Sequence, residues 1–323
     1  MLKRLGLLGL IAAFILLLSG SVLLYSWNHV GPSPRPVLVQ VPQGASVAAA
    51  AERFEQAGVI DSATRFRLLA RVFGSGEPIK AGEYRVPAWI SESDLLKMLQ
   101  GGRVLQRLVV VPEGYPSVLV HDALVRAEGL EGEVPVPAEG SVLPDSYSFE
   151  RGDQRSEVVA RMQEAMRDYL AQAWAKRKPG IAVDTPEEAI VLASIVEKET
   201  GEPSERRTVA AVYSNRLRIG MPLQADPTVI YPITKGRPLG RRILRSELRA
   251  RNGYNTYASP GLPVGPIANP GRESIDAVLN PAESEALYFV ADGTGGHVFA
   301  NTLAEHNANV RKWYAIRRAR GEM

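Results

Sequence analysis

The chain has 323 residues, of which 45% are hydrophobic and 23% charged, and a formal net charge of +3. This length accommodates a membrane segment and one or two globular domains. With no cysteine the chain has no disulfide, thiolate metal site, cysteine nucleophile or lipoprotein cysteine. The small charge and the lack of a basic tract with interleaved aromatics argue against a nucleic-acid binder.

Lys3 and Arg4 precede an uncharged stretch from Leu5 to Trp27. Its length matches a bilayer core at the helical rise. Positive charge ahead of the span places the N-terminus in the cytoplasm and the rest outside. Tyr25 and Trp27 are expected at the outer interface. A cleaved signal peptide ending near Ser19-Gly20-Ser21 is the competing reading, but the apolar run continues through Val22, Leu23 and Leu24. Gly31 to Pro36 reads as a semi-rigid linker.

A small module follows. Val37–Val41 reads as a strand, and Ser46 and Ser62 as caps of two amphipathic helices. Gly82–Val86 is a second short strand, and Ser91 with Asp94 opens a third helix ending at Gly101. Leu105–Val111 reads as a strand, Pro112–Pro116 as a turn and Ser117–Leu130 as a helix. A Pro- and Gly-rich stretch, 131–151, leads to a long polar helix over 155–176.

Thr185-Pro186-Glu187-Glu188 is a helix start, with Thr185 as N-cap and Pro186 as first helical residue. That helix runs to about Thr200. Ser204 is expected to cap the next, ending at Gly220. Met221–Pro270 has few periodic runs, which in a compact domain marks a functional segment. Residues 286–291 and 297–300 read as a hairpin, and Thr302 with Glu305 caps a final helix with a basic, solvated end.

Glu199 is the leading site candidate. It closes an apolar run at the C-terminal end of a helix, where the macrodipole disfavours a carboxylate. Apolar neighbours disfavour it again by desolvation. A carboxylic acid that keeps its proton near neutral pH is suited to general-acid work. Lys198 opposes this. Glu197 lies on another face of the same run, and periodicity does not choose between the two; both are also readable as solvated acids paired with Lys198 or Arg206.

Gln224-Ala225-Asp226-Pro227-Thr228 offers an amide and a carboxylate to a cleft, or an Asp that starts a turn. Asn252–Tyr257 interleaves aromatic faces with amides, a combination suited to acetamido sugars. His297, His306 and Asp292 lack zinc-ligand spacing, and His297 reads as a packed or hydrogen-bonded histidine. Neither a nucleophile elbow nor a P-loop is present in the sequence.

Several stretches then converge. Leu192–Thr200, Ser204-Glu205-Arg206, Asn215–Met221, Leu223–Tyr231, Tyr254–Tyr257, Gly261-Leu262-Pro263, Tyr288–Gly293 and Gly295-Gly296-His297 together resemble the MltG family of bacterial endolytic murein transglycosylases, the YceG-like proteins. Val264 stands where the family often has Pro, and Ala225 where it often has Thr.

The resemblance implies an α+β protein: a cytoplasmic start and single transmembrane helix (1–27), a Pro-rich linker (28–36), a LysM-like module (37–104) and a mixed α+β catalytic domain (105–323). It implies that Glu199, the second glutamate of its motif, is the catalytic acid. The implied reaction cuts the β-1,4 bond from N-acetylmuramic acid to N-acetylglucosamine in nascent strands, leaves a 1,6-anhydro end and uses no metal or cofactor. Gln224, Asp226, Asn255 and Tyr257 are the candidates for holding the acetamido sugars. Implied partners are peptidoglycan strands and the penicillin-binding synthases, at the inner membrane with the catalytic domain in the periplasm. Two alternatives are a muramidase hydrolase, with Asp226 or Glu197 positioning water, and a non-catalytic peptidoglycan-binding scaffold.

Overall fold

The computed structural model describes residues 2–322, with the side chains of residues 2–9 and 12 outside the description. The fold is mixed α+β, and the chain divides into two compact units, Met1–Arg107 and Leu108–Met323.

The first unit runs α1 (Leu2–Asn28), β1 (Val37–Val41), α2 (Val47–Gln56), α3 (Ala63–Phe73), β2 (Gly82–Val86) and α4 (Glu92–Gly101). Ser46, Ser62 and Ser91 cap their helices as the sequence predicts, accepting from the backbone N–H three residues on. β1 and β2 pair antiparallel, with Val39 opposite Tyr84. Phe54, Phe66, Leu69, Tyr84, Leu95 and Leu99 fill the core. Full burial of each aliphatic or phenyl group contributes roughly 1.5–3 kcal/mol.

Two expectations change here. Trp27 is packed within the first unit instead of being displayed on the surface of α1. It is 4% exposed and packs on Phe66 and Phe73, with ring centroids 5.8 and 6.3 Å away. A large aromatic surface is removed from water more completely in a packed core than at a boundary. The Pro-rich segment is also strapped down: Gly31 N–H donates to Ile90 O, and Trp89 N–H donates to Ser33 O.

Leu10, Phe14, Leu16, Leu17 and Leu24 of α1 are exposed. Among the described residues no helix is long and apolar enough to cross a membrane. The span expected over Leu5–Trp27 includes residues 5–9 and 12, whose side chains lie outside the described ones.

The second unit runs β3 (Arg107–Val110), α5 (Ser117–Arg126), β4 (Ser146–Phe149), α6 (Arg155–Ala175), α7 (Pro186–Glu199), a 3-10 turn (Pro203–Glu205), α8 (Arg206–Arg218), α9 (Asp226–Thr234), α10 (Arg245–Arg249), α11 (Arg272–Leu279), β5 (Tyr288–Ala291), β6 (His297–Ala300) and α12 (Leu303–Ala319). β3 pairs with β4 and β5 with β6. The strand β4 is one that the Pro- and Gly-rich stretch around it concealed.

The central helix is α7. Every residue from Ala189 to Val196 is buried, which is what an all-round apolar helix requires. It contacts α6, α8, α9 and α11. Thr185 accepts from Glu188 N–H at 3.1 Å, while the Glu188 carboxylate reaches past the N-cap to Asp184 N–H at 2.7 Å. Ser204 is not the cap of α8. With Pro203 at its first position the 3-10 turn is capped by Glu202, which accepts from Ser204 N and Oγ.

Candidate active site

Glu199 is the last residue of α7. As a residue it is half-buried, yet its Oε1 is sealed from solvent and has no hydrogen-bond partner. Burial, and next the charge of Asp226, push its pKa up to about 7, against the pull of the Tyr213 hydroxyl and the Arg216 guanidinium. The dominant cause is therefore the desolvation expected of an acid closing an apolar helix. Lys198 does not oppose it, because its ammonium points to Gly114 O at 3.3 Å. Glu197 faces elsewhere and accepts from Gly271 N–H at 2.9 Å. Two residues along a helix are about 200° apart, so the pair divides between different neighbours.

The next helix supplies the flanking groups. Tyr213 and Arg216 lie one turn apart on α8 and are both buried. Arg216 Nε donates to Leu287 O at 2.7 Å and Nη1 to Leu223 O at 2.5 Å, and its guanidinium lies 5.5 Å from the centre of the Tyr288 ring. Burial lowers the Arg216 pKa and raises that of Tyr213. Neither residue is among the site candidates that the sequence singles out, although Arg216 lies in a stretch that carries the resemblance. The signal available was a Tyr and an Arg spaced i, i+3 on the helix that follows the Glu199 segment.

The stretch read as loop contributes the remaining side chains. Asp226 is not in a turn: it is the first residue of α9, and it is exposed. Tyr257 donates its hydroxyl to Asp226 Oδ1 at 2.6 Å, and burial followed by that bond raises the phenol's pKa. Backbone and hydroxyl bonds align the two segments. Gln224 N–H donates to Thr256 O, Ala225 N–H to Thr256 Oγ1, and the Thr228 and Thr256 hydroxyls meet at 2.8 Å. Gln224 is exposed with a left-handed backbone, φ 54°, a conformation that costs a non-glycine residue about 1–2 kcal/mol.

Asn255 has a different use from the one the sequence suggested. It is 1% exposed, and its amide nitrogen lies within 3.1 Å of the carbonyls of Glu247, Leu248 and Ala250. Its Oδ1 accepts from Tyr257 N–H at 2.9 Å. The side chain is committed to the loop that carries Tyr257 and has no group left for a sugar.

Asp292 binds Thr294 within its own turn, His306 stacks on Tyr288, and His297 bonds Glu205. A cavity of about 860 Å³ lies between α6 and α11, with Tyr169, Lys176, Arg206, Arg207 and Asp276 in its wall. Glu199 is not in that wall. The chemistry gathers instead where α7, α8, α9 and the 252–257 loop meet: one protonatable acid, one carboxylate held by a phenol, and a buried guanidinium.

The family model described as the YceG-like family matches residues 39–312. The endolytic murein transglycosylase of Bacillus subtilis strain 168 is 28% identical, over 92% of this chain and 91% of that protein. The endolytic murein transglycosylase of Streptococcus pneumoniae serotype 2 strain D39 is also 28% identical, over 86% of this chain and 58% of that protein. Among solved structures, a YceG-like protein of Listeria monocytogenes superposes with a TM-score of 0.52 at 27% identity, over 85% of this chain and 99% of that one.

Proposed function

Because the chain belongs to the YceG-like family, we propose that it is an endolytic peptidoglycan transglycosylase, a lyase, with Glu199 as its catalytic acid. The observation that carries the assignment of the acid is the sealed, unpartnered carboxyl oxygen of Glu199, with a pKa near 7. Because the residue as a whole is only half-buried, a proton kept by this carboxyl is available for transfer at neutral pH from its other oxygen.

In this reading Glu199 protonates the glycosidic oxygen between N-acetylmuramic acid and N-acetylglucosamine, and the bond from C1 to that oxygen breaks. The resulting carboxylate takes the proton of the muramic C6 hydroxyl as its oxygen bonds to C1. The products are a 1,6-anhydro end and a free 4-hydroxyl. No water is consumed, and Glu199 ends protonated as it began. One residue acting first as acid and then as base follows the logic of retaining glycosidases. The Asp226 carboxylate, oriented by Tyr257, offers negative charge toward the developing oxocarbenium ion, and Gln224 offers an exposed amide for an acetamido group.

Mass spectrometry of un-crosslinked glycan strands, incubated with the wild type or with Glu199→Gln, tests this. Internal fragments with anhydro ends made only by the wild type are expected. Reducing ends would identify a muramidase hydrolase instead, and intact strands that remain bound would identify a scaffold.

We further infer that α1 anchors the chain in the inner membrane, with the N-terminus cytoplasmic and the catalytic unit in the periplasm. Support comes from Lys3 and Arg4 ahead of the uncharged run and from the exposed apolar side chains between Leu10 and Leu24. The strand–helix–helix–strand order of the first unit supports a LysM-like module. Peptidoglycan synthases are the partners that a strand-terminating enzyme at the membrane would meet.

A further inference from the structure

Two of the stretches that carried the resemblance have no part in this chemistry: Ser204-Glu205-Arg206 and Gly295-Gly296-His297. The fold brings them together. His297 backbone N–H donates to Glu205 Oε1 at 2.7 Å, and His297 Nδ1 lies 2.7 Å from Glu205 Oε2. A carboxylate offers only acceptors, so Nδ1 carries the hydrogen. The two side chains are 17% and 16% exposed, which shields this charge-assisted pair from water. A Cβ on Gly296 would lie 2.7 Å from Glu205 Oε1, so a larger residue there would push the carboxylate from its place.

The positions of the partners give the pair its consequence. Glu205 ends the 3-10 turn six residues after Glu199, and α8 starts at the next residue. His297 opens β6 and meets Phe289 of β5 edge-on, centroids 5.2 Å apart at 87°. Phe289 in turn meets Tyr213 edge-on, at 5.9 Å and 89°. The residues beside Phe289 support the second flanking group: Leu287 O accepts from Arg216, and the Tyr288 ring lies under its guanidinium. The hairpin thus buttresses both groups that border the Glu199 carboxyl, and the His297–Glu205 pair fastens it to the head of α8.

We propose that His297 is a positioning residue, which by binding Glu205 locks the β5–β6 hairpin onto α8 and so holds Tyr213 and Arg216 against Glu199. The inference rests on the reading of Glu199 as the acid. His297 does not touch the substrate; it acts through Phe289 and Tyr213.

The test uses the full chain in detergent and three variants. His297→Asn keeps an N–H near the position of Nδ1, His297→Ala removes it, and Glu205→Gln weakens the acceptor if the alanine variant does not fold. Expected are a roughly 10- to 100-fold lower kcat for His297→Ala with KM within about twofold, a drop of the same kind but smaller for Glu205→Gln, and recovery of most of the loss by His297→Asn. The Glu199 titration, followed by ¹³C NMR of its carboxyl, is expected to move to higher pH in the damaged variants as Tyr213 and Arg216, which pull it down, draw away. A change in KM alone overturns the proposal, as does an unmoved Glu199 titration or an asparagine variant as impaired as alanine. Should Glu199→Gln retain activity, the acid assignment fails, and the carboxyl titration still reads the positioning effect.

Discussion

Tyr257 donates its hydroxyl to Asp226 across 2.6 Å, which joins a loop residue to the first residue of α9. The Asp226 charge is the second cause, after burial, that keeps the proton on Glu199. A surface contact between two segments about thirty residues apart thereby acts on the protonation of a third.

Activity is expected to fall as pH rises through about 7, the Glu199 value, because the ionised acid cannot protonate the leaving oxygen. The profile of kcat/KM against pH on un-crosslinked strands measures this. A flat profile between pH 6 and 8 would contradict the assignment.

Folding stability is expected to respond to the same group with a definite sign. The unfolded carboxyl titrates near 4.5 and the folded one near 7, so between these values the folded state binds more protons and stability falls as pH rises. The loss is complete above about pH 7. At about 1.4 kcal/mol per unit its upper bound is roughly 3–4 kcal/mol, reduced by the partial exposure of the residue. Glu199→Gln is expected to melt above the wild type at pH 8, with the gap closing toward pH 4.5, by scanning calorimetry.

Removing the charge at 226 shifts the acid in a known direction. Asp226→Asn abolishes a charge that raises the Glu199 pKa, so the descending limb of the pH profile moves to lower pH. Tyr257→Phe leaves the charge but frees its orientation, and a smaller displacement is expected. The two pH profiles, compared with that of the wild type, decide the point.

Asn255→Ala leaves three loop carbonyls and the Tyr257 N–H without their partner. A cost of about 1–3 kcal/mol is expected, with activity lost through displacement of Tyr257. Urea unfolding, together with amide exchange over residues 247–257, provides the measurement. Exchange unchanged in that loop would show that Asn255 does not hold it.

What the sequence made legible was local. Thr185-Pro186 fixed the start of α7, the serine caps fixed α2, α3 and α4, and the turn of 292–296 fixed the final hairpin. The place of Glu199 at the end of a buried helix was readable from the apolar run before it. What stayed hidden depends on contacts between distant residues. Asn255 looked like a ligand-binding amide because nothing local announces that three carbonyls converge on it. Tyr213 and Arg216 looked like ordinary helix residues because their importance comes from facing Glu199 across a helix pair. Trp27 looked interfacial because its partners, Phe66 and Phe73, lie about forty residues further on. β4 was lost among prolines and glycines because its pairing partner, not its composition, makes it a strand.

The burial of Trp27 reaches beyond packing. It joins the last turn of α1 to the body of the first unit, and Gly31 and Ser33 continue the attachment. On the proposed anchoring, that unit has no leash: it stands on the bilayer as a cap stands on its post and follows every tilt of the helix beneath it. Its vertical reach is set by architecture, not by the wandering of a chain. A soluble form that begins at Val37 would discard Trp27 together with the post. One that begins within α1, a turn before Trp27, keeps the keystone in place.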